Sequence, residues 1–207
     1  MSAGPSPRAV ALGFSVHTGW AALVAVTRSG GASLTVLDRR RIGMLPVPLT
    51  PRPEAYPHVF HAARDLPLSD AERFIRKAEE QARVRAREEL AAAVEGLRAG
   101  GHRVMESAII TARELPTRPL EEILQNHTLV HAAEGALFRA VIRGASEDLG
   151  LRVLQVPAPE LVRRAARALG VPKEEVPDLL TRIGRPLGPP WTADHKAATL
   201  AAVLALS

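Results

Sequence analysis

The sequence predicts an α/β protein in which a mixed β-sheet carries helices on both faces. Three apolar, β-branched segments follow one another near the amino terminus with short turns between them, and after residue 68 helical and strand patterns alternate. With 207 residues, 46% of them hydrophobic, the chain can bury one sizeable core. We therefore expect a single domain spanning residues 1–207.

The first three strands are predicted at residues 9–17, 19–27 and 32–42. Glycine and serine turn residues separate them, and such short connections join antiparallel neighbours. We therefore expect an antiparallel three-strand meander. Its third strand ends in the run Asp38-Arg39-Arg40-Arg41, which gives that end of the strand a basic character.

A proline-rich segment follows the meander. Residues 44–67 contain six prolines, a density that predicts an extended arm without regular helix or central strand. A helix then runs from Ser69 or Asp70 to Ala99 and ends at two glycines. Its middle is nearly all charged or small, so we expect it to be solvated and to project from the body. Segment 44–100 is thus predicted as an insertion into the domain, and the helix at about 70–99 as a surface for a homodimer.

The second half of the chain supplies the rest of the sheet and its helical layers. A fourth strand is predicted at 102–111 and a fifth at 151–156, and the helices are predicted at 119–148, 158–169, 173–183 and 193–205. The sheet should therefore contain the meander plus two further strands.

Charge and composition narrow the possible partners and compartments. The formal net charge is +5, and only three of the 27 basic residues are lysines. The planar fork of arginine suits phosphate recognition, so DNA or RNA is a possible partner. There are no cysteines, which excludes disulfides and thiolate metal sites. No apolar run is long enough to span a membrane, and no signal-peptide core is present, so we expect a cytoplasmic protein.

Three segments resemble the RuvC-type Holliday-junction resolvases of the ribonuclease H-like superfamily. The run G-F-S-V-H-T-G-W-A-A at 13–22 is similar to the family's first-strand segment. Residues 131–162 resemble its helix, fifth strand and following helix, and the ending T-A-D-H-K-A-A-T-L-A-A-V-L-A-L resembles its terminal helix. The resemblance implies a ribonuclease H-like fold over most of the chain outside about 44–100.

The resemblance also implies where the family's metal-binding acids would fall. The first-strand aspartate position is held by Ser15, and the fourth-strand glutamate position falls near Thr111, with Glu106 and Glu114 on either side. Of the paired acids in the terminal helix, Asp194 matches and Ala197 takes the other position. Two-metal phosphodiester cleavage needs several carboxylates around a pair of cations. Ser15, Thr111 and Ala197 are thus vestigial acid positions.

Two groups of polar residues could carry chemistry of their own. His127, His131 and Glu134 lie at i, i+4 and i+7 of the predicted helix at 119–148 and so share one face. Two histidines one turn apart with a carboxylate can bind a divalent metal, although a structural polar cluster explains the same pattern. Ser15 and His17 share one face of the first strand, and these two groups could approach each other if the helix packs on the sheet.

The terminal helix opens with Asp194, His195 and Lys196. Asp194 there is either a helix-capping acid or a metal ligand, and Lys196 and the run Arg39-Arg40-Arg41 could contact phosphates.

The leading prediction is a RuvC-like protein with an incomplete nuclease site that binds nucleic acid or serves as a protein scaffold. The alternative is an active nuclease that depends on Mg²⁺ or Mn²⁺ and uses a rebuilt site. Its catalytic residues would be Asp194 and Glu134, and its metal ligands Asp194, His131 and Glu134. His17, His127 and His195 are further candidates for such a site. Substrate and pathway do not follow from the sequence.

Overall fold

The computed structural model describes residues 7–29, 33–45, 58–112 and 117–207. Its strands are β1 (Arg8–His17), β2 (Trp20–Ser29), β3 (Ser33–Gly43), β4 (His102–Thr111) and β5 (Arg152–Pro157). Its α-helices are α1 (Val59–Ala63), α2 (Leu68–Ala99), α3 (Leu120–Gln125), α4 (His127–Asp148), α5 (Leu161–Leu169), α6 (Val176–Gly184) and α7 (Ala193–Ala205).

The strands form one mixed sheet in the order β3-β2-β1-β4-β5. β2 pairs antiparallel with β1 and with β3. The Thr18-Gly19 turn, where Gly19 has a φ of 75°, joins β1 to β2. β4 pairs parallel with β1 and β5 pairs parallel with β4. The predicted meander and the α/β fold class are confirmed. The carboxyl ends of β1, β4 and β5 therefore lie at one edge of the sheet.

The two faces of the sheet bury different helices. Val10, Leu12 and Phe14 pack in one core cluster with residues of α2 and α4, and this side is called the α4 face. Val24 and Val26 of β2 pack against α7, and Ala108 of β4 packs with α5, α6 and α7, which defines the α7 face. Because side chains alternate along a strand, Ser15 and His17 lie on the α7 face.

Gly13 sets the distance between β1 and α7. A Cβ atom placed on it would lie 1.8 Å from the carbonyl oxygen of Ala198 and 2.6 Å from the backbone nitrogen of Ala202. The strand and the helix therefore touch through backbone atoms, and any larger residue at this position would force them apart. This contact fixes the amino end of α7 near the carboxyl end of β1.

The predicted helix at 119–148 is broken into α3 and α4 at Asn126. This residue has φ −116° and ψ 113°, and its side-chain oxygen accepts hydrogen bonds from the backbone N–H groups of Thr128 and Leu129 at 3.0 and 3.2 Å. Asparagine is a strong helix N-cap, so its side chain replaces the hydrogen bonds that a continuous helix would have made. One continuous helix was therefore the wrong prediction.

The proline-rich segment contains a helix that the sequence did not predict. α1 spans Val59–Ala63 and lies between the last two prolines of the segment, where none interrupts it. Val59, Phe60 and Ala63 are buried in the α4-face core. Residues 46–57 of the predicted arm lie outside the described residues.

The prediction that helix α2 projects from the body is wrong. Small and apolar residues along one side are buried against the core, namely Ala82, Ala86, Leu90, Ala93, Val94 and Leu97. The charged residues of its middle occupy the opposite side, so the helix is amphipathic and shares the core with α4.

Within the described ranges, no helix has the length and hydrophobicity needed to cross a bilayer.

Candidate functional site

Ser15, His17 and Asp194 meet at the carboxyl end of β1. The hydroxyl of Ser15 donates to Oδ1 of Asp194 at 2.9 Å, and Nε2 of His17 lies 2.6 Å from the same oxygen. The side chains of His17 and Asp194 are 42% and 30% exposed, so this group is open to solvent. The structure thus brings Ser15, which was predicted to be a vestigial acid position, next to the acid in the first turn of α7.

Local sequence fixes the start of α7. The side chain of Thr192 accepts a hydrogen bond from the backbone N–H of His195, and Nδ1 of His195 accepts one from the backbone N–H of Thr192 at 3.2 Å, which completes a capping box. Burial lowers the pKa of His195, the positive charge of Arg39 lowers it further, and Asp194 opposes both. The lowered pKa favours the neutral imidazole that this cap requires.

Arg39 holds the loop that leads into α7. Its Nη1 donates to the carbonyl oxygens of Gly188 and Pro190 at 2.9 and 2.5 Å, and its Nη2 donates to that of Leu187 at 2.7 Å. Its guanidinium therefore has a structural role, which differs from the predicted contact with phosphate. Trp191 supports the same loop, since its Nε1 donates to the carbonyl of Leu180 at 3.0 Å.

The other two arginines of the run differ from Arg39. Arg40 forms an ion pair with Asp38 at 2.6 Å. The guanidinium carbon of Arg41 lies 4.1 Å from the centroid of the Trp20 ring, and Trp20 is stacked on His17 with centroids 4.3 Å apart. A cation–π contact of this kind holds the guanidinium of Arg41 over the indole ring.

A cleft of about 460 Å³ lies beside Asp194. Its walls combine the arginine run of β3 with the loop before α7 and the start of that helix; they are Trp20, Ala22, Arg39, Arg40, Arg41, Pro190, Thr192, Asp194 and His195. The cleft is therefore basic and aromatic, with a carboxylate in its wall. Lys196, which follows on α7, is half-buried.

The remaining acid positions lie apart from this group. Thr111 ends β4 beside Pro157 of β5, and by alternation with Ile109 it lies on the α4 face. Ala197 packs partly buried in the α7-face core. Glu106 forms an ion pair with Arg152 on the neighbouring strand, and Glu114 lies outside the described residues.

The second predicted group lies on the α4 face, away from Asp194. His127 and His131 at the start of α4 meet His61 of α1, and the ring centroid of His61 is 4.6 Å from that of His131 and 5.5 Å from that of His127. His58, just before α1, lies 5.0 Å from His61 between ring centroids. His58, His61, His127 and His131 are called the histidine cluster below.

Glu134 lies beneath the histidine cluster and is 1% exposed. Its Oε1 accepts from the backbone N–H of Phe60 at 2.8 Å and lies 3.4 Å from Nδ1 of His61. Its Oε2 is buried and has no hydrogen-bond partner in the described structure. The pKa of His127 is lowered, first by the neighbouring His131 and then by desolvation, His61 and Arg64.

The structure therefore separates the residues of the predicted rebuilt site. Asp194 is joined to Ser15 and His17 on the α7 face, whereas Glu134 and His131 belong to the α4 face. Two contributors were missed by sequence reasoning: His61 and His58 lie in the proline-rich segment, which was read as an extended arm. The signal available in the sequence was the spacing H-x-x-H at 58–61, the pattern of one helical turn.

Comparison with known proteins gave matches among solved structures. No protein-family profile matches the chain, and no curated protein sequence matches it either. RuvC from Thermus thermophilus, in complex with a Holliday junction substrate, superposes with a TM-score of 0.54 at 14% identity, covering 94% of this chain and 91% of that chain. A second structure of T. thermophilus RuvC gives the same TM-score, identity and coverage. The chain therefore has the RuvC-like, ribonuclease H-like fold that the sequence resemblance implied.

Proposed function

We propose that this protein is a RuvC-like nucleic-acid-binding protein whose α7-face site binds phosphate without two-metal cleavage. The observation that carries the proposal is the state of Asp194. Its carboxylate accepts from Ser15 and contacts His17, in the position where a nuclease of this fold would need a second carboxylate. The proposal includes a cytoplasmic location, because the protein would have access to nucleic acid there.

Cleavage by two cations needs several carboxylates around the scissile phosphate. Within the described ranges, Asp194 belongs to no group of three histidine, aspartate or glutamate side chains whose ligand atoms lie within 4.8 Å of one another. A serine hydroxyl and an exposed histidine are poor substitutes, because Mg²⁺ prefers oxygen anions and keeps much of its hydration. The site therefore favours binding over hydrolysis.

Binding is supported by the composition of the cleft. Arg41 sits over Trp20 beside His17 and Asp194, at the edge where the parallel strands end. That edge is the usual place for ligands in open α/β sheets. The net charge of +5 adds a general attraction for phosphates, and a protein of the same fold is known in complex with a Holliday junction.

The binding test uses a labelled four-way DNA junction, with linear duplex and single strands for comparison. Affinity is measured by fluorescence anisotropy between about 50 and 200 mM salt. We expect Arg41→Ala and Lys196→Ala to weaken binding and each to reduce the salt slope by about one. Arg143→Ala, an exposed arginine on α4, is the matched control and should bind normally. Salt-independent binding, or an equal loss in the control, would contradict the proposal.

The nuclease alternative is tested with the same DNA in Mg²⁺ and in Mn²⁺. We expect no cleavage by the unmodified chain in either ion. Metal-dependent cleavage that disappears in Asp194→Asn would establish the alternative instead. Glu114→Gln belongs in that experiment, because this acid follows β4 in the sequence.

Scaffolding through a homodimer is a second proposal, favoured by exposed apolar residues on α2. Phe74 is 39% exposed and Val84 is 53% exposed, although both are large hydrophobic residues. We propose that segment 44–100 is an insertion into one domain and that α2 joins two copies of the chain. Light scattering should show a dimer that Val84→Glu converts to a monomer, with Gln125→Glu, an exposed position on α3, as the control that changes the charge by the same amount. A monomeric wild-type chain would remove this proposal.

A further inference from the structure

The imidazole nitrogens of the histidine cluster lie close together, and packing of the core does not require this arrangement. Nε2 of His127 and Nε2 of His131 are 3.0 Å apart, and one ligand atom from each of His61, His127 and His131 lies within 4.8 Å of the others. Two nitrogens on a tetrahedral zinc ion, each at roughly 2.0–2.1 Å, are about 3.3 Å apart. Small side-chain rotations would therefore bring these three imidazoles to a common ion.

Glu134 provides the second observation. It is almost completely buried, it has one oxygen without a partner, and its other oxygen lies 3.4 Å from Nδ1 of His61. A buried carboxylate is costly unless a positive charge lies nearby. When a carboxylate accepts a hydrogen bond from Nδ1–H of a histidine, it fixes the tautomer in which Nε2 carries the free lone pair, as in many zinc sites.

We propose that His61, His127 and His131 bind Zn²⁺ through their Nε2 atoms, with Glu134 orienting His61 from beneath. Imidazole ligands suit zinc and neighbouring transition metals, whereas Mg²⁺ and Ca²⁺ prefer oxygen. His127 and His131 are exposed and His61 is half-buried, so an ion can reach the site. Three protein ligands leave the fourth position of a tetrahedral ion for water.

His58, His61 and Glu134 form a competing group whose ligand atoms also lie within 4.8 Å. In that group Oε1 of Glu134 already accepts from the backbone of Phe60 at 2.8 Å. An ion bound there would also have to enter the buried side of the cluster. The accessible group is therefore the better zinc site, and His58 is its natural control.

Binding at this position would join α1 to α4. The whole of α2, β4 and α3 lies between His61 and His127, so the ion would close a long segment of chain. The site lies on the face of the sheet opposite Asp194, and zinc binding is therefore independent of the proposed nucleic-acid site.

The test uses the full chain without an affinity tag, stripped of metal with a chelator. Zinc is titrated in competition with a colorimetric chelator, and Co²⁺ absorption reports whether the coordination is tetrahedral. We expect one zinc per chain and a higher Tm in its presence. His127→Ala and His131→Ala should each weaken binding by at least about 100-fold, and Glu134→Gln by roughly 10- to 100-fold.

Two control variants test which histidines bind the zinc ion. His58→Ala and His17→Ala should bind zinc within about threefold of the unmodified chain, the second because it lies on the other face. His127 and His131 are exposed, so their variants should keep the apo Tm and circular dichroism of the parent. Loss of binding in His58→Ala with retention in His127→Ala would assign the ion to the competing group and overturn the proposal. Absence of stoichiometric zinc binding would also overturn it.

Discussion

The carboxylates on the two faces of the sheet have opposite surroundings. On the α7 face, Asp194 is partly exposed and one of its oxygens meets both Ser15 and His17. On the α4 face, Glu134 is buried and one of its oxygens meets nothing in the described structure, with imidazoles close by. The position that resembles a nuclease site is satisfied by its own neighbours, whereas the unsatisfied carboxylate lies where the fold resemblance places no acid.

This difference shows that similarity of fold and capacity for ligand chemistry can separate within one sheet. The fold positions Asp194 at the edge where the parallel strands end, and Ser15 and His17 contact its carboxylate there. The histidine cluster depends on a short helix in the proline-rich segment. Substitutions that damage one face and spare the other test this separation.

The largest effect is expected from Gly13→Ala. The added methyl would overlap backbone atoms of α7, and overpacking of this kind costs about 3 kcal/mol. Urea unfolding should show that loss, and DNA binding should fall because Asp194 moves away from Ser15. Gly96→Ala is the control, since nothing lies within 4 Å of its new methyl group and alanine stabilises an exposed helix by roughly 0.5–1 kcal/mol. Equal stability of the two variants would disprove the backbone contact.

A smaller loss of stability is expected from Glu134→Ala, which removes a buried carboxylate from the α4 face. The buried N–H of Phe60 would lose its acceptor, at a cost of about 1–3 kcal/mol. Glu134→Gln keeps an oxygen acceptor and should recover part of that stability, as measured by urea unfolding of the metal-free chain. DNA binding should survive both changes. If alanine and glutamine cost the same, the hydrogen bond to Phe60 is not what Glu134 contributes.

Arg39→Ala should cost about 1–2 kcal/mol, because the carbonyls of the loop before α7 lose a charged donor. Arg40→Ala removes a partly exposed ion pair and should cost less than about 1 kcal/mol. Thermal unfolding of the two variants compares them directly. In DNA binding, Arg39→Ala should lower affinity without changing the salt slope, in contrast to Arg41→Ala. A reduced salt slope for Arg39→Ala would return this residue to the phosphate-binding group.

The smallest expected effect is a dependence of stability on pH. The pKa of His195 is lowered in the folded chain, so the unfolded chain binds the proton more readily. The stability contributed by neutral His195 is therefore complete above about pH 6.5 and is lost as the pH falls below it. Urea unfolding at pH 7.5 and 5.5 should show a smaller difference for His195→Gln than for the parent. An unchanged difference would mean that the cap tolerates the protonated ring.

The strands and most helices could be predicted because their signals are local. β-Branched runs bounded by glycine mark the strands, and Gly100 and Gly150 mark helix ends. The break at Asn126 was missed because the residues on both sides favour helix, and the capping bonds of one side chain decide the matter. Patterning alone also gave too little weight to the alanines that bury one side of α2.

The sites were less predictable because they combine residues that are distant in sequence. Ser15 and Asp194 could be paired through the family resemblance, since both fall at its acid positions. His61 could not be joined to His127 and His131 without knowing that α1 packs on α4. The role of Arg39 depends on a loop nearly 150 positions away, and three adjacent arginines look alike in a sequence even when each has a different partner.

The contact at Gly13 also determines how this protein could change its chemistry. Since β1 and α7 meet backbone to backbone at Gly13, main-chain contacts set the separation of the strand and the helix that carry positions 15 and 194. Ser15→Asp would set a second carboxylate against Asp194 at about hydrogen-bonding distance. Two carboxylates this close either share one proton or stay ionised together by binding a cation. A single substitution would thus replace the hydrogen bond between Ser15 and Asp194 with two carboxylates able to bind a cation, on the same backbone.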